Sequence, residues 1–195
     1  MYMITDLSTI NDSIIKEGLD VLVISYGGSC SNELVHYLEK NNFKCKTFIW
    51  HKSLCHCPQS IECDIPIIYI YDNPMKSFLS MKNRGEGFWD VNQQKLSNDM
   101  NVILSDKNLI ELMIKQFNNW TNVKRDNVCV IKSCELFENN IVDKLESFLK
   151  KKIHHFPIPY KKPKTDIEII VNIELKELFE TYKLEIDKII NFEIQ

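Results

Sequence analysis

The stretch SYGGSCSN, residues 25–32, holds the first residues of the chain whose types and spacing suit chemistry. Gly27 and Gly28 accept the positive φ that a sharp turn demands, and they let a ligand come close to the backbone. Ser29, Ser31 and Asn32 carry hydroxyl and amide donors, and each is a residue type that caps a helix. A helix starting here aims unpaired N–H groups into the loop, so the natural guest is an anion. Cys30 falls at the same helix start, where a thiol pKa is lowered. No arginine closes the loop in the manner of a cysteine phosphatase, so Cys30 reads as a small space-filling residue. The loop also lacks the lysine of G-x-x-x-x-G-K-[ST], which argues against an ordinary ATP or GTP cradle.

His51 is the second candidate, directly after the apolar run TFIW (47–50). Imidazole ionises near neutral pH and suits a general base. The end of a parallel strand is also where α/β sheets put their sites. The plainer account is a half-buried histidine bonded to backbone. Downstream, HKSLCHCPQSIEC (51–63) carries two histidines and three cysteines. The Cys55-x-Cys57 spacing does not match the C-x₂₋₄-C of a zinc knuckle, and no metal is expected.

Four short runs must hold these residues: VLVISY (21–26), KTFIW (46–50), IPIIYIY (65–71) and NVCVIK (127–132). Each is β-branched or aromatic and apolar on both sides, as strands buried between helices are. Helical patterns alternate with them. Leu34, Val35 and Leu38 share one face; Pro74 suits a first helical turn. Leu109, Leu112, Met113, Phe117 and Trp120 form a stripe, as do Ile141, Leu145, Phe148 and Leu149. Residues 168–190 read as one or two amphipathic helices. The alternation predicts a three-layer α/β domain, a parallel sheet flanked by helices. The polar stretch 83–106 is long and weakly periodic, as functional lids and disordered loops are.

Taken in order, SYGGSCSN, the WH at 50–51 and YIYDNPMKSFLS (69–80) resemble the sulfotransferases that use 3'-phosphoadenosine 5'-phosphosulfate (PAPS). That family reads roughly T-Y-P-K-S-G-T-T, a strand ending in histidine, then I-Y-x-x-R-N-P-x-x-x-x-x-S. NVCVIKSCELFENNIVDKLESFL (127–149) is similar to its later strand and helix. The resemblance covers roughly residues 20–160, with a C-terminal helical segment at about 166–192, all within one domain. It implies a P-loop-type, sulfotransferase-like fold and transfer of a sulfuryl group to a hydroxyl acceptor, a small molecule or a glycan. His51 would be the general base. Gly27, Gly28, Ser29, Cys30, Ser31, Asn32 and Ser80 would hold PAPS or its product PAP.

Two departures fall on the cofactor. Gly28 stands where the family has its loop lysine, and Asp72 where it has the arginine that grips the 3'-phosphate. The family's C-terminal R-K-G-x-x-G-x-W has no counterpart beyond the basic YKKPKT (160–165). Two unit charges ~4 Å apart repel by about 4 kcal/mol at an effective dielectric near 20. An enzyme therefore needs another cation, with Lys52, Lys76 and Arg84 as candidates. The alternative is a non-catalytic binding module for a nucleotide, glycan or protein. A phosphoryl-transfer enzyme is disfavoured, because no Mg²⁺ carboxylate pair is evident.

Bulk properties agree with one such domain. The chain has 195 residues and a net charge of −3 without a dominant block, which supports neither nucleic acid nor a charged membrane surface as partner. No apolar run approaches the ~20 residues of a membrane span. Seven unevenly spaced cysteines and no signal-peptide pattern at the start fit reduced thiols in a cytoplasmic protein. The richness in Ile, Lys and Asn points to an AT-rich genome, such as that of a protist or a large virus.

Overall fold

The computed structural model describes residues 18–45, 56, 63–85, 97, 104–122, 124–154 and 173–193. Three strands form a parallel sheet in the order β1 (Leu22–Ile24), β2 (Ile67–Tyr71), β3 (Val128–Lys132). Leu22 sits opposite Ile67, and Ile67 opposite Val128. Three of the four expected strands are therefore neighbours. The fourth, 46–50, lies outside the described residues, as does most of the stretch 83–106.

Parallel neighbours need crossover connections, and helices supply them. α1 (Ser31–Lys40) follows β1; α2 (Pro74–Lys82) and α3 (Asp106–Thr121) follow β2. After β3 come a 3₁₀ turn (Ser133–Phe137), α4 (Ile141–Leu149), α5 (Ile173–Thr181) and α6 (Lys183–Ile190). Local chemistry sets several of these starts. Asn73 Oδ1 accepts from Met75 N at 2.9 Å, and Pro74 takes the first turn of α2, where its missing N–H is not needed. Ser105 Oγ accepts from Asn108 N at 3.2 Å and opens α3.

Side chains alternate across the strands, and each face has its own core. On one face Leu22, Ile24, Ile67, Tyr69 and Tyr71 pack against Phe78, Met113, Phe117 and Trp120, with Phe179, Ile186 and Ile189 beyond. On the other, Val21, Val23, Ile68, Ile70, Cys129 and Ile131 pack against Leu34, Val35 and Leu38 of α1 and Ile141 and Leu145 of α4. The protein is thus α/β, with helices on both faces of a small parallel sheet. β3 departs from the expectation of a strand buried on both sides: Cys129 and Ile131 are buried, whereas Val128, Val130 and Lys132 are half-buried. No helix among the described residues is long and apolar enough to cross a membrane.

Candidate functional site

At Ser25 the chain leaves β1, and the ladder no longer supplies hydrogen-bond partners. Buried side chains replace it. The Ser25 carbonyl lies 2.8 Å from His56 Nδ1 and accepts from Gln116 Nε2 at 3.3 Å. A carbonyl only accepts, so the His56 proton sits on Nδ1. Ser25 Oγ in turn accepts from Gly27 N at 3.2 Å, which closes the start of the loop.

Tyr26 ties this loop to the end of β2. Its hydroxyl donates to the Asp72 carbonyl and accepts from Asp72 N at 3.0 Å. Asp72 has just left the sheet, so one phenol serves both of its orphaned backbone groups. Burial pushes the Tyr26 phenol well above its ordinary range, which keeps the donor proton in place.

The turn itself is held tight. Gly27 and Gly28 have φ of 95° and 67°, and Cys30 follows at 62°. A Cβ on Gly28 would lie 2.6 Å from the carbonyl oxygen of Ser77 and 2.9 Å from its Cα. The loop therefore rests directly on the backbone of α2, and only glycine fits there. Ser29 is fully buried and its hydroxyl donates inward to Ile70 O at 3.3 Å. Ser31 is half-buried, Asn32 exposed and Ser80 half-buried on α2.

Two expectations about the helix start are corrected. The residue preceding the first turn of α1 is Cys30, in a left-handed conformation with no side-chain cap, rather than Ser29, Ser31 or Asn32. Ser29 is unavailable as a cap because its hydroxyl is spent on β2. Nor is the Cys30 thiol lowered by the helix end. It is pushed up to about 11, chiefly by burial and then by the carboxylates of Glu33 and Asp72, with Arg84 opposing. Desolvation and two negative charges outweigh a half-charge of helix dipole.

Asp72 is positioned by hydrogen bonds on both oxygens. Oδ1 accepts from Asn73 N at 2.6 Å and Oδ2 from Ser133 Oγ at 2.5 Å. Since Ser133 follows β3, the carboxylate leans across the C-terminal edge of the sheet toward that strand. Among the described residues, the charges acting on Cys30 are the carboxylates of Glu33 and Asp72 and the guanidinium of Arg84, a poor field for a polyanion. Elsewhere, Lys82 pairs with Asp106 at 2.6 Å, and Lys144 with Glu135 at 2.6 Å.

His51 and Lys52 lie outside the described residues, together with Trp50, Cys55, Cys57 and YKKPKT (160–165). Among the described residues, the histidine at the start of the loop is His56, five positions after His51 in sequence. Among the described residues no three His, Cys, Asp or Glu side chains gather as a metal site. Gln116, Ser133 and Tyr26 were not anticipated as site residues. Gln116 carried a signal, being the polar member of the apolar stripe that includes Met113, Phe117 and Trp120. Ser133 carried none, since its partner lies 61 positions away. No family model matches this chain, and neither a curated protein nor a solved structure does.

Proposed function

We propose that this protein is a sulfotransferase-like domain that has kept the strand–loop–helix shape of a PAPS site without its charges. It acts as a binding module, and sulfuryl transfer is not its activity. One observation carries the reading: Gly28 lies against the Ser77 backbone, so the loop has no room for the lysine that the sulfotransferase pattern puts at that position. The Asp72 carboxylate supports it, because it adds repulsion where the pattern has an arginine.

The second reading is sulfuryl transfer from PAPS, with His51 as general base. Residues Gly27, Gly28, Ser29, Cys30, Ser31, Asn32 and Ser80 would then form the cofactor cradle. It is favoured by the first turn of α1, whose N–H groups face a loop with no side-chain cap.

A thermal-shift screen with PAP, ATP, GTP and sulfated sugars separates the two. The binding-module reading expects no shift with PAP. Asp72→Arg removes a repulsion and adds a bidentate phosphate donor, so it should tighten PAP binding at least about tenfold. Micromolar PAP binding by the unaltered protein, with sulfuryl transfer abolished by His51→Ala in a folded protein, would replace this reading with the enzymatic one.

A further inference from the structure

The C-terminal end of α6 folds over the same sheet edge, beside the ends of β2 and β3. Lys132, the last residue of β3, donates its ammonium to the Ile190 carbonyl. Tyr71, the last residue of β2, donates its hydroxyl to the Phe192 carbonyl at 3.4 Å. The Phe192 ring stands edge-on to Tyr71, with centroids 6.2 Å apart, and edge-on to Phe117 at 5.3 Å. Tyr71 and Phe117 meet at 5.0 Å and form the corner into which the ring fits.

Three features make this contact unlike ordinary core packing. It lies where parallel α/β sheets hold ligands, at the carboxyl ends of the strands. A half-buried ammonium bonds the last carbonyl of α6, the partly negative end of that helix, and a full carboxylate would pair with it more strongly. The ring is held by two aromatic edges, with a cation and a phenol donor at the adjoining backbone. Aromatic walls with convergent donors are the makings of a site for an aromatic anion.

We propose that Ile190–Phe192 is a built-in occupant of a ligand site at the C-terminal edge of the sheet, and that the site takes a small aromatic carboxylate. In that complex the ligand ring replaces the Phe192 ring between Tyr71 and Phe117. The carboxylate replaces the backbone carbonyls, accepting from the Tyr71 hydroxyl and pairing with the Lys132 ammonium. The C-terminal turn then acts as a strap that any ligand must displace. This inference goes beyond the reading of the 26–32 loop and does not depend on whether that loop binds a nucleotide.

The probe is 3-phenylpropionate, which reproduces the spacing from ring to carbonyl in phenylalanine. Titration followed by NMR should give weak binding to the unaltered protein and at least about tenfold tighter binding to Phe192→Ala, in which the ring position is vacated. Lys132→Gln in the same background should remove most of that gain. The neutral 3-phenylpropanamide should bind less well than the acid. A folded Phe192→Ala that binds the acid no better than the unaltered protein overturns the proposal, and so does equal binding of acid and amide. Where Phe192→Ala does not fold, the unaltered protein decides. Millimolar 3-phenylpropionate must speed hydrogen exchange of the amides of Asn191, Phe192 and Glu193, and unchanged exchange overturns the proposal.

Discussion

The two faces of the sheet are built from different materials. On the face against α1 and α4 the strand residues are aliphatic apart from Cys129, with Val21, Val23, Ile68, Ile70 and Ile131 meeting Leu34, Leu38 and Leu145. The face against α2 and α3 is aromatic, with Tyr69 stacked on Trp120 at 6.0 Å and on Tyr71 at 6.3 Å. Aliphatic side chains fill space and offer nothing polar. Tyrosines fill space and also deliver a hydroxyl to a chosen point. Tyr26 and Tyr71 do so at the strand ends, one clamping Asp72 and the other holding Phe192. The aliphatic face stabilises the sheet, whereas the aromatic face both stabilises it and shapes the C-terminal edge of the sheet.

That contrast is open to test. The largest effect belongs to Trp120, which is fully buried. Trp120→Ala should lower stability by about 3–5 kcal/mol in urea unfolding. Leu38→Ala, equally buried on the aliphatic face, should leave hydrogen exchange at the strand ends unaltered relative to global stability, while Trp120→Ala loosens it. Identical exchange patterns in the two variants would erase the distinction between faces.

A smaller effect is expected at Tyr26. Tyr26→Phe keeps the packing and strands the Asp72 N–H and carbonyl, which should cost about 1–3 kcal/mol. Tyr71→Phe removes a single longer bond, to the carbonyl of the half-buried Phe192, and should cost no more than about 1 kcal/mol. If Tyr71→Phe proves the more damaging of the two, the clamp has been assigned to the wrong hydroxyl.

The smallest effect is chemical. Because burial and neighbouring carboxylates push the Cys30 thiol up to about 11, the folded state favours its protonated form. Its contribution to stability is complete below the ordinary thiol pKa and is lost as pH rises from there toward about 11. At pH 7.5 Cys30 should alkylate far more slowly than cysteine in an unfolded peptide, with the rate still climbing above pH 9. Alkylation at the peptide rate would mean that the loop opens readily.

Much of the architecture was legible before any coordinates. Three apolar runs became parallel neighbours, and helices begin at Ser31, Pro74, Asp106 and Ile141 close to where the periodicity put them. Such features follow from local chemistry, in which a β-branched run wants burial and Asn73-Pro74 opens a helix. The loop was legible as a turn because two adjacent glycines have few other uses. Its cap was not, because Ser29 was equally fit for capping and for bonding β2, and only the position of Ile70 O decides between them.

By itself, then, the chain's sequence determined the α/β alternation, the glycine turn after the first strand, and a glycine at 28 and a carboxylate at 72. These depend on residue type and near neighbours alone. The tertiary structure decided that Gly28 touches Ser77, that Ser133 holds Asp72, that His56 reaches Ser25 and that Phe192 fills the corner between Tyr71 and Phe117. Each joins residues distant along the chain. Such pairings arise from how helices lie across the sheet, and spacing within a single segment carries no record of them.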